Sequence, residues 1–172
     1  MIRPFFILIL IVLYGCGKSE VKEFIEYKGP LREVEKMETF YSENDKIKAK
    51  IRADLVYEFK NGDREFPKGI NLEFYNEFGV LESTLRANHA FFFKEENKWR
   101  GRGKVEVKNI AKQEQLNTEE LFWKPADKKI FTEKFVTIRQ ESDVIYGTGL
   151  DAKQDLSEYT IIKPYGELEV KE

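Results

Sequence analysis

The chain has 172 residues, with 29 Lys and Arg against 31 Asp and Glu, a formal net charge of −2, one histidine and one cysteine. So even a balance argues against a nucleic-acid partner, which needs a concentrated basic surface. A lone cysteine excludes an intramolecular disulfide, so burial and backbone pairing must hold the domain together, and the 14 Phe and 8 Tyr favour strands.

The chain opens on Arg3 and an unbroken apolar run from Phe5 to Leu13. A positive start, a short apolar stretch and a small residue before the cut make an export signal. The run is about half the length of a membrane-spanning helix. Leu13-Tyr14-Gly15-Cys16 resembles a bacterial lipobox, in which the cysteine receives lipid and becomes the new N-terminus. Residues 1–15 therefore read as a lipoprotein signal peptide and Cys16 as the lipidation site. An ordinary signal peptide with an unrelated cysteine is the competing reading. Residues 16–33 are polar and weakly patterned, as expected of a tether. Residues 34–172 make a single domain. The stretch from Leu31 to Phe40 is compatible with one short helix.

Beyond the tether the apolar period is two. In Lys46–Lys60, residues Ile47, Ala49, Ile51, Ala53, Leu55, Tyr57 and Phe59 share one face, and Lys46, Lys48, Lys50, Arg52, Asp54 and Glu58 share the other, with Val56 the exception. Such alternation marks a strand with one buried side and one wet side. Ile70, Leu72 and Phe74 continue the pattern, followed by Leu85, Ala87, Phe91 and Phe93, then Val105 and Val107, and finally Leu168 and Val170. Turn residues separate these runs at Asn61-Gly62-Asp63, Asn76 to Gly79, Glu95 to Asn97, Pro125 to Asp127, Glu141 to Asp143 and Pro164 to Gly166. Short strands with a turn about every ten residues predict an all-β antiparallel fold. A faint repeat of 31 residues relates Ala87, Thr118 and Gly149, and carries Val105 and Val107 onto Val136 and Ile138. It predicts one hairpin unit stacked along an axis.

Catalytic signals are weak. Gly147-Thr-Gly149-Leu-Asp-Ala152 fits a dinucleotide fingerprint in letters only, since too little chain follows for the helix and second strand that the motif needs. Its glycines read instead as a strand bend or a close backbone approach. His89 has no nucleophile motif beside it and reads as a structural histidine. No ligand spacing for a metal and no cofactor motif is evident. The basic stretch Lys98 to Lys104 reads as a solvated hairpin arm in preference to a phosphate contact. The chain is therefore not expected to be an enzyme. The aromatic load is more telling. Tyr57, Phe59, Phe74, Phe91, Phe93 and Phe122 fall on the apparent inner face, with Phe92 and Trp123 on the other. A plain sandwich core and an apolar trough for acyl chains both satisfy that pattern.

Ile51 to Tyr57, Phe66 to Tyr75, Leu85 to Ala90, Gly101 to Val107, Leu116 to Trp123 and Gly147 to Leu150 together resemble the LptC family, the periplasmic component of the lipopolysaccharide-export ABC transporter, in its lipoprotein form. The resemblance implies an all-β, twisted, partly open antiparallel β-jellyroll (OstA/LptC-like) built from repeated hairpins, whose interior holds the acyl chains of lipopolysaccharide. It implies that lipopolysaccharide is taken from an inner-membrane ABC permease and passed to a periplasmic bridge protein of the same fold by strand-edge pairing. Location at the inner membrane facing the periplasm, held by lipid, goes with it. The alternation nominates Ile51, Leu55, Tyr57, Phe59, Leu72, Phe74, Leu85, Phe91, Phe93, Val105, Phe122 and Val136 as trough lining, and Tyr165 to Val170 as a pairing edge. A lipid carrier or structural envelope lipoprotein outside lipopolysaccharide export is the alternative.

Overall fold

The computed structural model describes residues 27–140 and 143–165. The leader, Cys16 and most of the tether lie outside them, as do Leu168 and Val170. Eleven strands form one antiparallel sheet. They are β1 (Arg32–Glu43), β2 (Lys46–Glu58), β3 (Arg64–Phe66), β4 (Ile70–Tyr75), β5 (Leu81–Ala87), β6 (His89–Phe93), β7 (Lys98–Asn109), β8 (Glu114–Lys124), β9 (Lys129–Gln140), β10 (Asp143–Lys153) and β11 (Tyr159–Tyr165). The segment compatible with a helix, Leu31 to Phe40, is strand: β1 pairs with β2 from Arg32↔Glu58 to Glu43↔Lys46. The apolar side of that segment is completed by a neighbour in the sheet, which overrides any weak helical preference. The strand starts within the expected tether, at Arg32.

The register reduces the eleven strands to a simple meander. Strand β2 pairs with β4 through Ala49 to Arg52 and with β3 through Tyr57 and Glu58, so β3 and β4 are two parts of one interrupted strand. Strands β5 and β6 are likewise collinear along β7, with Ser83↔Asn109 at one end and Phe93↔Lys98 at the other. The chain thus runs up and down as β1, β2, β3–β4, β5–β6, β7, β8, β9, β10 and β11.

Irregularities in these long strands line up across the sheet. Pro67 to Gly69 separates β3 from β4, and Asn88 separates β5 from β6. The register shifts between Arg102 and Val105, between Thr118 and Phe122, and between Thr148 and Leu150. Gly69, Gly103 and Gly149 carry positive φ there, the conformation that glycine adopts without penalty. Bulges bend strands and raise local twist, so together they form a crease along which the sheet doubles over. The crease explains the 31-residue repeat: Ala87, Thr118 and Gly149 each stand at it, two strands apart. At Gly147, just outside it, a Cβ would collide with Ile161 and lie 2.8 Å from the Lys163 carbonyl oxygen. The glycine pair is therefore a place of close approach between β10 and β11, as the sequence suggested.

The two halves of the folded sheet enclose the core. Its largest fully buried side chains include Phe66, Phe74, Ile70, Leu116, Leu121, Ile130, Ile138, Leu150 and Leu156. Trp99 and Trp123 stand side by side at 5.9 Å between ring centres, and Phe74, from the other layer, meets Trp123 edge-on at 5.1 Å. The outer edges of β1 and β11 pair with no strand among the described residues.

Candidate functional site: the space between the layers

An inward face is set by parity, and the crease changes parity in β2, β5–β6, β8 and β10, whereas β7 (Trp99 and Gly101, then Val105 and Val107) and β9 (Ile130 and Thr132, then Val136 and Ile138) keep it. In β2 the buried residues are Ala49, Ile51, Ala53 and Leu55, and then Val56. In β5 and β6 they are Ser83, Leu85 and Ala87, then Ala90 and Phe92. In β8 they are Glu114, Leu116 and Thr118, then Leu121 and Trp123. An extra residue at a bulge turns every later side chain to the opposite face.

Seven of the nominated residues therefore line the interior: Ile51, Leu55, Leu72, Phe74, Leu85, Val105 and Val136 are all buried. The other five do not. Tyr57, Phe59, Phe91, Phe93 and Phe122 lie beyond the crease, half-exposed on the outer face. There Tyr57 stands opposite Glu65, which stands opposite Phe91. Alternation carried straight across the bulges assigns these five to the wrong side. The same inversion hides Phe92 and Trp123, which are core residues. Trp99 also belongs to the core, so the basic stretch around it is solvated on one face only. Phe66, Leu121, Ile130 and Leu150 complete the lining that alternation missed. The signal is local: Asn88 and Gly149 each mark a point where the period restarts.

The interior is packed. A void lined by Ile70, Leu72, Leu85, Ala90, Leu121 and Trp123 measures about 10 Å³, room for no more than one water. Above it, on the side opposite the crease, the layers part into a cleft of about 480 Å³. Phe74 and Trp123 form its floor, and Tyr41, Lys48, Glu82 and Lys128 stand at its rim. Beside the cleft the two lips are stitched together. The Ser83 hydroxyl donates to the Gln154 carbonyl at 3.2 Å, the Asn109 amide to the Asp155 carbonyl at 2.7 Å, and the Lys112 ammonium to the Ser157 carbonyl at 3.0 Å. Trp123 Nε1 donates to Gln154 Oε1 at 2.9 Å, which fixes the indole under the stitched loop.

Charge is placed at the lips and not inside. Glu114 is buried there with neither carboxyl oxygen hydrogen-bonded. Facing it, Tyr159 has its phenol pKa pushed up, first by burial and then by the Glu114 charge. Arg64 lies over the rings of Phe92 and Trp99 at 4.8 and 5.7 Å, and burial lowers its pKa against the raising influence of Glu58. His89 is tied to Glu65 Oε1 at 2.8 Å across the β3–β6 pair. No group of three or more His, Cys, Asp or Glu among the described residues is arranged to hold a metal.

These features define a class: a creased antiparallel β-jellyroll with an apolar interlayer, a mouth opposite the crease and two unpaired edges. A family model described as lipopolysaccharide-assembly, LptC-related, matches residues 33–164. The chain belongs to this family. Its role is accordingly in lipopolysaccharide transport and assembly, as a transport component of the cell envelope. No curated protein matches the chain significantly. No helix among the described residues is long and apolar enough to cross a membrane.

Proposed function

We propose that the interlayer binds the acyl chains of lipopolysaccharide and that the chain relays this lipid from an inner-membrane ABC permease to a periplasmic bridge protein. The observation that carries the reading is the predominantly apolar lining from Ile51 to Leu150, with Ser83, Thr118 and Thr132 its buried polar members, which reaches solvent at the Phe74–Trp123 floor of the cleft. Each methylene moved from water into such a lining contributes about 0.8 kcal/mol, so a few acyl chains supply ample driving force for the layers to part. The stitched lips are then a gate, and they re-form once the lipid leaves. The free edges of β1 and β11 suit strand addition, one toward the permease and one toward the bridge. Acylation at Cys16, with the tether after it, holds the domain at the periplasmic face of the inner membrane. More than one acyl chain is needed for stable anchoring.

Mass spectrometry of the chain purified from envelopes tests the reading. Lipopolysaccharide retained in stoichiometric amount is expected, and its absence under conditions that retain other lipids counts against the proposal. The packed interior favours a second reading, an envelope lipoprotein whose core holds no lipid. That reading predicts a clean spectrum and no co-purifying permease.

A further inference from the structure

The five side chains displaced to the outer face are not scattered. Phe91, Arg100, Phe122 and Phe131 stand opposite one another in register across β6, β7, β8 and β9. Phe59 stacks on Phe91 at 6.2 Å, Phe93 lies 4.7 Å from Phe91, and Phe122 stacks on Phe131 at 5.2 Å. Cations cover the rings: Arg100 over Phe91 and Phe93 at 5.9 and 5.3 Å, Lys98 over Phe93 and Phe122 at 5.2 and 5.5 Å, and Lys124 over Phe131 at 5.8 Å. The wet face of an antiparallel sheet ordinarily carries polar side chains, so a cluster of five phenylalanines there, interrupted only by Glu65 and Arg100, needs a reason.

The charges sharpen the question. Lys124, Lys129 and Lys153 face one another in register across three strands, an arrangement of like charges that works against the sheet. Nearby carboxylates are engaged elsewhere, with Glu96 on Lys98, Glu65 on His89 and Asp151 on Lys129. Arg100 and Lys124 have no carboxylate partner among the described residues, and the buried Nε of Arg100 has no hydrogen-bond partner. The row begins where the tether departs, since the Leu31 amide donates to the carbonyl of Glu58, next to Phe59. Five inter-strand spacings give the row a length of about 24 Å. The stretch from Cys16 to Leu31 reaches roughly 50 Å when extended, enough to let the row lie against the membrane in which Cys16 is anchored.

We infer that this outer face is a membrane seat: the phenylalanine row lies in the headgroup layer of an anionic bilayer, with the unpaired Arg100 and Lys124 on lipid phosphates and Lys98, held by Glu96, beside them. The inference rests on the proposed anchor at Cys16 for proximity, but not on what the interlayer binds. Amphipathic surfaces bind in this way, apolar rings in the interface and cations on the headgroups. Each cation near an anionic surface strengthens binding about fivefold, so the two unpaired ones give about thirtyfold.

The test uses the full lipidated chain in vesicles of phosphatidylcholine, with and without phosphatidylglycerol. A photoreactive benzoylphenylalanine replaces Phe93, Phe131 or, in the β4–β5 turn of the opposite layer, Phe78, which is 90% exposed. The expected result is flotation in both compositions. Lipid labelling from positions 93 and 131 should exceed that from 78 at least fivefold in the anionic vesicles. Combining Lys98→Gln, Arg100→Gln and Lys124→Gln should abolish that excess while the melting temperature holds. Flotation without the excess, an excess indifferent to charge, or crosslinks to a second copy of the chain would each overturn the seat and leave the anchor standing. Failure to float in either composition would overturn both.

Discussion

If the stitched lips gate the interlayer, loosening them must act in opposite directions on stability and on lipid uptake. Ser83→Ala combined with Lys112→Met removes two of the three hydrogen bonds between the lips, those to Gln154 and Ser157, and leaves the apolar lining untouched. A hydrogen bond of this kind contributes about 1 kcal/mol net. The pair should therefore lower the unfolding free energy by about 2 kcal/mol, as read from urea denaturation followed by tryptophan emission. Both bonds belong to the closed arrangement and are absent once the layers part. Their loss shifts the closed-to-open equilibrium by the same amount, about thirtyfold. The apparent dissociation constant for lipopolysaccharide should tighten by up to that factor in a direct titration. A variant that is less stable and also binds more weakly, or binds unchanged, would show that the bonds hold the lipid-competent form together and that no gate exists.

The inversion of faces at the crease predicts a contrast between neighbours. Phe92→Ala should cost about 3–5 kcal/mol by leaving a core cavity, whereas Phe91→Ala, on the outer face, should cost under about 1.5 kcal/mol; equal losses in chemical denaturation would refute the assignment. Glu114→Leu removes a buried carboxyl with no hydrogen-bond partner, and should stabilise the chain by about 1–3 kcal/mol. That corresponds to a rise of several degrees in melting temperature, and a fall would mean that the carboxylate has a partner essential to the lips. Gly147→Ala drives a Cβ into Ile161 and the Lys163 carbonyl. It should free β11 from β10, seen as faster hydrogen exchange over residues 159–165, with exchange elsewhere unchanged.

The fold class was legible in the chain because a period of two survives on either side of the crease in most strands and turn residues punctuate them. The 31-residue spacing even carried the crease, through Ala87, Thr118 and Gly149. What alternation does not carry is a parity change, since one inserted residue costs the sequence nothing visible. Ile51, Leu72 and Val136 are buried on the face where alternation placed them, because each lies on a stretch whose frame the bulges leave intact. Phe91 and Phe122 were misread because Asn88 and the Thr118–Phe122 irregularity stand between them and the residues that set the frame. The strand at Arg32 was obscured by its own charge, because its order comes from pairing with β2 and not from a strong apolar pattern. The lips escaped notice for another reason: Ser83, Asn109 and Lys112 meet the loop at 154–157 only after folding, and no local spacing connects them.

The central claim, that acyl chains lie between the layers, is tested most directly by photocrosslinking in cells. Benzoylphenylalanine is placed at Leu72 or Val136 inside and at Phe91 outside. Capture of lipopolysaccharide from the two inner positions and none from Phe91 is the predicted result. Capture from Phe91 alone, or from none of the three while the permease is active, would contradict it.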